Sequence, residues 1–397
     1  MEVKVAPVGV SARKRREMAE SGNSAGGADA GKSATSVTGA AGPSSRTGRV
    51  WGWLDGRLGL SALRYKVPEH ANTIWYTLGG ITFVGIIVLA ATGIWLAQYY
   101  DPDPAAARES VLFIQNTAPL GDVIRGIHIW TAYLVIITAS LHLIRIFVTA
   151  SYKAPREVNW IVGVSLLALL MFGAFFTGTV LRWDQEAYEA LAHNMELATI
   201  FGAFGGFFSE GFTTSVSILP RLYIAHVSIV PLLLVFLLIA HIFLIKHHGI
   251  SPTPAQEEAG EAPGGRLPQE KETGSYPTHL RKMVGYGLVL LGAAGVLSVI
   301  FPQPIGLAPD PTMEITKPSP IYYWLYSFED WFGVLGILYG AIALFGLLAI
   351  VPFIDRTPLR SIRRRPVILG FGVVLLIALV VLSLITAFSP VVSHMGD

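Results

Sequence analysis

The sequence predicts an all-α integral membrane protein of seven transmembrane helices, a four-helix unit followed by a three-helix unit. Three observations predict it. Hydrophobic residues make up 52% of the 397 and charged residues only 14%, where a soluble domain devotes about 25% of its chain to charge. Apolar runs long enough to cross about 30 Å of hydrocarbon recur seven times, near 74–99, 124–148, 160–181, 222–245, 284–301, 332–354 and 367–389, the fifth being the shortest. The segments between them alternate in charge.

Taken in order, residues 1–50 are rich in Gly, Ala, Ser and Thr and carry eight basic and four acidic residues. The cluster Arg13-Lys-Arg-Arg16 has no apolar segment behind it, so this stretch reads as a disordered tail. Trp51 to Tyr65 is amphipathic and suits a membrane interface, where tryptophan is favoured. The 100–123, 182–221 and 302–331 connections are acidic, with four acids to one base, five to two, and four to one. The 149–160 and 355–366 connections are basic, the second through Arg356, Arg360, Arg363, Arg364 and Arg365 against Asp355. By the positive-inside rule the N-terminus is cytoplasmic, the acidic loops and the C-terminus lie outside, and the membrane is the plasma (inner) membrane. The 246–283 segment is charge-balanced and polar, with Pro252-Thr-Pro254 and Gly264-Gly265, and reads as a cytoplasmic linker over 250–283. It separates a four-helix domain over 51–249 from a three-helix domain over 284–397.

Net charge is only +2, which gives no reason to expect nucleic acid as a partner. With no cysteine in the chain, thiolate metal sites, iron–sulfur ligation and covalently attached haem c are excluded. Histidine is left as the candidate metal ligand.

Four histidines fall inside the spans: His128 and His142 on the second, His226 and His241 on the fourth. Fourteen residues fall about 40° short of four helical turns and fifteen run about 60° past, so each pair keeps to one face, with a rise of about 21–23 Å. Each of these two helices therefore carries one imidazole near each membrane surface. Taken singly, each is an ordinary polar residue hydrogen-bonded in a bundle interior. Matched in spacing and depth, His128 with His226 and His142 with His241 make two levels, each able to ligate one haem by both axial positions. Zinc is disfavoured, because each level offers only two nitrogens. Arg125 and Arg145 lie one turn beyond their histidines toward the nearer surface, placed to meet haem propionates or simply to snorkel. Gly79 and Gly93 on the first span, and Gly163 and Gly178 on the third, repeat the histidine spacing. They would let a flat macrocycle approach the backbone, or let helices pack closely.

These residues, with Ile124-Arg-Gly-Ile-His-Ile-Trp130, His142-Leu-Ile-Arg145, Lys153 to Trp160, Gly178 to Gln185 and Arg221 to Gly249, resemble the cytochrome b subunit of Rieske/cytochrome b complexes. The closest form is cytochrome b6 followed by subunit IV, the latter resembled in Pro309-Asp-Pro311, Lys317 to Trp324 and Arg364-Arg-Pro366. The resemblance covers roughly residues 60–390. It implies a di-haem four-helix bundle with two noncovalent haem b groups, the outer on His128 and His226 and the inner on His142 and His241, with propionates at Arg125 and Arg145. It also implies quinol oxidation near the outer surface, electron transfer through the two haems to a quinone at the inner surface, and coupled proton translocation. Implied partners are a Rieske iron–sulfur protein, a c-type cytochrome or other redox subunit, quinone, the lipid bilayer and a second copy of the complex.

The chain departs from the family at three places. The outer Pro-Glu-Trp-Tyr motif is Pro320-Ile321-Tyr322-Tyr323 here, and isoleucine cannot accept the proton that the family's glutamate takes from quinol. Tyr322 and Glu314 are the candidate catalytic groups in its stead, with Glu329 and Asp330 as further acids. A solvated loop is the ordinary role for such acids. Thr77 stands where the b6-type proteins carry a cysteine that tethers an extra haem. Lys246 and Ile129 replace arginines of the inner region and of the first ligand's neighbour. Two other readings use the same residues: a quinone-linked membrane subunit of another redox complex with an altered or inactive outer site, and a transporter or anchor without catalysis.

Overall fold

A computed structural model describes residues 46–58, 65–202, 205–262, 265–268 and 272–392. The predicted disordered tail lies almost wholly outside the described residues, as do the five C-terminal residues. Contacts divide the chain into two units, up to Leu60 and from Ser61 onward. Among its described residues the first contains one helix, Arg46–Leu58, in which Trp51 and Trp53 are exposed and the Arg57 guanidinium lies 4.1 Å above the Trp53 ring.

The second unit is a helical bundle. Among the described residues seven helices are long and apolar enough to span a membrane: Ile74–Leu96, Gly121–Val148, Glu157–Val180, Ile218–His248, Tyr276–Ile300, Val334–Ile354 and Pro366–Phe388. The fifth is not the shortest, contrary to its apolar run. It begins at Tyr276 with Pro277 in its first turn, where proline's fixed φ suits a helix start, and His279, Arg281 and Lys282 precede the apolar part without breaking the helix. The shortest is the sixth, with 21 residues. The first, second and fifth spans pack on one another, the third packs on the fourth and the sixth, and a short helix, Tyr323–Phe332, packs against the sixth and seventh. The main hydrophobic core lies where these meet, around Val135, Leu167, Leu170, Met171, Trp324 and Leu325.

Two spans are not continuous α-helix. Leu169–Phe175 in the third and Ala225–Ile229 in the fourth are π-helical. A π turn closes i→i+5 bonds and so holds one residue more than an α turn. The glycines and histidines spaced by fifteen residues lie on these two spans, and those spaced by fourteen lie on the first two. The π turn takes up the additional residue, so the 60° overshoot expected for an ideal helix does not accumulate.

The two faces of the bundle are tied by different chemistry. On the face of the acidic connections, helix Gln185–Ile200 is strapped to the segment before Tyr323–Phe332. Asp184 accepts from the Gly306 amide at 3.0 Å, Gln185 accepts from the Asp310 amide at 2.7 Å, and Glu189 accepts from the Ile315 and Thr316 amides and the Thr316 hydroxyl. On the basic face, Asp355 binds Lys153 and Arg365, both at 2.9 Å, and accepts from the Tyr152 hydroxyl at 2.6 Å. That shared set of donors holds its carboxyl below the ordinary range against the opposing effect of burial. The 250–283 stretch is packed where it is described. Arg156 donates to the carbonyls of His248, Gly249 and Gly265, and Lys66–Val67 pairs antiparallel with Gly274–Ser275.

Candidate functional site

The second and fourth spans face one another through their histidines. His128 and His226 lie with ring centroids 6.3 Å apart, and His142 and His241 with centroids 6.5 Å apart. A metal–imidazole bond of about 2.0–2.1 Å on each side of one ion sets two ring centroids roughly 6 Å apart, so both separations fit an iron held between two imidazoles. Among the described residues no three His, Cys, Asp or Glu side chains converge as a metal site, so each level offers two ligands.

Each imidazole is backed by one of the spaced glycines. A methyl group at Gly178 would lie 2.9 Å from His226 Cε1, at Gly79 3.0 Å from His142 Cε1, at Gly93 3.3 Å from His128 Cε1 and at Gly163 3.6 Å from His241 Cε1. The first span thus serves the second and the third serves the fourth. Residues without side chains are needed most where the contact is shortest.

The two levels differ in what holds the rings. Thr92 and Thr177, each immediately before a glycine, place their hydroxyls 2.9 Å from Nδ1 of His128 and His226. Both hydroxyls donate to backbone carbonyls one turn back, Thr92 to Val88 at 2.7 Å and Thr177 to Gly173 at 2.6 Å. With its proton committed, each hydroxyl accepts from Nδ1–H and leaves Nε2 as the ligating nitrogen. At the other level the residues before the glycines are Leu78 and Val162, and the His142 Nδ1 is buried with no hydrogen-bond partner.

The flanking arginines also have unfilled donors. Arg125 is buried and donates through Nη1 to Gln115 and to the Gln303 carbonyl, while its Nη2 is unpartnered. Arg145 stacks 4.3 Å above the Tyr76 ring with its Nε unpartnered. Buried donors with no acceptor are costly unless a ligand satisfies them, and a carboxylate beside each level would do so. Thr77 is fully buried with its hydroxyl bonded to the Thr73 and Ile74 carbonyls, and Lys246 on the basic face stands 4.5 Å from the Tyr65 ring.

A cavity of about 180 Å³ opens between helix Gln185–Ile200 and the segment Thr316 to Glu329, with Phe172, Phe176 and Thr179 of the third span as its floor. Phe176 and Thr179 bracket Thr177 and Gly178, the two residues that touch His226. The cavity therefore abuts the histidine pair on the acidic face. Tyr322 lines it, with its hydroxyl donating to the Met171 carbonyl at 2.6 Å. Burial pushes that hydroxyl far above its ordinary pKa, so it remains a protonated donor. Ile321 packs into the hydrophobic core. Glu314 does not line the cavity and instead meets His193 at 3.1 Å. His193 does line it, although it belongs to none of the motifs in the sequence. The signal was present: Glu186, Glu189, Ala190, His193, Asn194 and Leu197 recur at three- and four-residue steps, one face of a helix.

Comparisons with known proteins identify the family. A family model described as cytochrome b (N-terminal)/b6/petB matches residues 133–308. Cytochrome b6 of Heliobacterium modesticaldum is 37% identical over 200 residues, 49% of this chain and 93% of that protein. A cytochrome bc complex cytochrome b subunit of Chlorobaculum thiosulfatiphilum is 31% identical over 365 residues, 85% of this chain and 80% of its own. A menaquinol:cytochrome c reductase cytochrome b subunit of Bacillus subtilis is 35% identical over 219 residues, 51% of this chain and 97% of that protein. Among solved structures, a chain of a hyperthermophilic respiratory Complex III superposes with a TM-score of 0.71 at 25% identity, over 86% of this chain and 92% of that one. The chain belongs to the cytochrome b/b6 family.

Proposed function

We propose that the protein is the di-haem subunit of a quinol-oxidising complex, with His128 and His226 holding one haem b and His142 and His241 the other. The observation that carries this reading is the pair of stacked bis-imidazole levels, each backed by glycines, with a cavity abutting one of them. The haems supply one-electron carriers across the membrane; the chain's own residues position, insulate and tune them. Arg125 and Arg145 give their spare donors to propionates. The alternation of charge favours the acidic face as the outer side, the N-terminus as cytoplasmic and the plasma membrane as the location.

In this reading quinol enters the cavity between Gln185–Ile200 and Thr316–Glu329, where Phe172, Phe176 and Tyr322 provide flat apolar walls. One electron would leave for an iron–sulfur partner of Rieske type, and haems held on His128 with His226 and on His142 with His241 would supply the route by which the other reaches a quinone at the basic face. With no cysteine, this chain depends on other subunits for iron–sulfur and c-haem chemistry. Residues 51–249 form the haem unit, and 250–283 connect it, already helical from Tyr276, to 284–397, the unit that completes the quinol cavity. A dimer is the expected assembly.

The test is haem stoichiometry. Purified protein should contain two b haems per chain by the pyridine haemochrome, and His142→Ala should leave one. Retention of both would refute the pairing, and a chain with none would favour the transporter or anchor reading. The missing motif glutamate keeps one competitor: a complex with a silent outer site, in which quinol reduces the haems without any iron–sulfur partner.

A further inference from the structure

The cavity contains more acid than its polar contacts explain. Among the described residues three carboxylates line it, Glu186, Glu189 and Glu329. Two are committed. Glu186 pairs with Arg182 at 2.6 Å and accepts from the Ser319 hydroxyl at 2.8 Å, and Glu189 is bound by two backbone amides, the Thr316 hydroxyl and Gln185. The third, Glu329, is 2% exposed and meets no cation of permanent charge. Its Oε1 lies 3.2 Å from Nδ1 of His193, whose Nε2 lies 3.1 Å from Glu314 Oε1. An imidazole between two carboxylates, with one carboxylate in the cavity wall and the other behind it, has the form of a proton relay.

Resting on the reading of this cavity as the quinol site, we propose that Glu329 accepts the proton released by quinol and that His193 passes it to Glu314, replacing the carboxylate absent at Ile321. With Nε2–H donated to Glu314, His193 Nδ1 lies 3.2 Å from Glu329 Oε1, which has no hydrogen-bond partner, so a small turn of either side chain is what would align the Nδ1 lone pair with the protonated carboxyl. The quinol O–H bond breaks and its proton joins the Glu329 carboxylate. Glu329 hands that proton to Nδ1 while Nε2 releases its own to Glu314, and from there it leaves by the acidic face. The ring is left with its proton on Nδ1, and a flip of the imidazole that returns N–H toward Glu314 and the lone pair toward Glu329 resets it before the second proton follows. The two electrons depart separately, one to the iron–sulfur partner and one to the haem on His128 and His226, so quinol ends as quinone.

Electrostatics place this group in the working range. Burial first, then the neighbouring Glu314, Asp330 and Glu196, raise the Glu329 carboxyl to about 8. The facing groups are His193 and Glu196 on helix Gln185–Ile200, Glu314 on the strap, and Tyr326 and Asp330 on its own helix. The sixth and seventh spans, packed on the same helix, contribute no charged residue, and Lys317 is turned to the carbonyls of Thr386, Ala387 and Ser389. Because the accepting form is the carboxylate, quinol oxidation should accelerate as pH rises through about 8.

The experiment uses the intact complex with decylubiquinol or a short-chain menaquinol, following b-haem reduction and steady-state turnover from pH 6 to 9. E329Q should keep both haems and their α-band, lose the pH limb and slow oxidation about 10²-fold or more at pH 8. E329D should restore part of the rate and the limb. H193N reports on the relay independently and should slow oxidation in the same direction. E329Q or H193N with wild-type rate and limb would overturn the relay while leaving the quinol site standing. A wild-type complex whose haems are not reduced by either quinol would instead overturn the quinol reading itself.

Discussion

The two histidine levels share a scaffold and differ in their support. On the acidic face each imidazole bonds through Nδ1 to a threonine whose proton is already given to a carbonyl. On the basic face those positions are Leu78 and Val162, and the His142 Nδ1 has no partner. A hydrogen bond from Nδ1–H fixes the tautomer and makes Nε2 a stronger donor, which would favour oxidised iron and lower the potential of a haem held there. One helix repeat thus produces two unequal sites by changing a single residue type beside each glycine.

Removing a ligand tests the comparison most severely. His241→Ala should abolish the basic-face haem and spare the other, read as one haem per chain and the loss of one of two resolved α-band components. Glycine substitutions come next, and their order follows the distances. Gly178→Val and Gly79→Val, where even a methyl falls at 2.9 and 3.0 Å from an imidazole, should each deplete the haem of their own level. Gly163→Ala, at 3.6 Å, should leave haem content intact. Equal depletion by all three would mean that the glycines serve helix packing rather than the imidazoles. The subtlest test exchanges the support. Thr177→Val should raise the midpoint potential of the acidic-face haem by something on the order of tens of millivolts and leave the other unchanged. Leu78→Thr should lower the basic-face potential if the new hydroxyl reaches His142. Identical shifts at both haems would remove the threonines as the cause.

The cavity teaches a related lesson about what can be read without a fold. Ile321 announces a missing carboxylate in a line of sequence, yet its replacement cannot be chosen there. Glu314, Glu329 and Asp330 are equivalent acids in a loop until the chain is folded. His193 stands 121 residues before Glu314, and only the strap of Asp184, Gln185 and Glu189 against the 306–316 segment brings the two together. Arg125 shows the intermediate case. Its spacing from His128 places it at the membrane surface, but the unpartnered Nη2 that would suit it to a propionate is visible only in three dimensions.

Composition and periodicity by themselves determined the seven spans, the alternation of charge, and four histidines with four glycines at matching depth. These depend on local chemistry: an apolar run must leave water, and a helix repeats every 3.6 residues. Tertiary structure alone decided the rest. It placed π turns in the two spans whose spacing is one residue longer, since an i→i+5 turn relieves a mismatch that a regular helix would carry to its end. It bonded threonine to imidazole at one level only, and it assembled Glu329, His193 and Glu314 from three separate segments. Such contacts depend on which helices pack together, a property of the whole chain that no window of sequence contains.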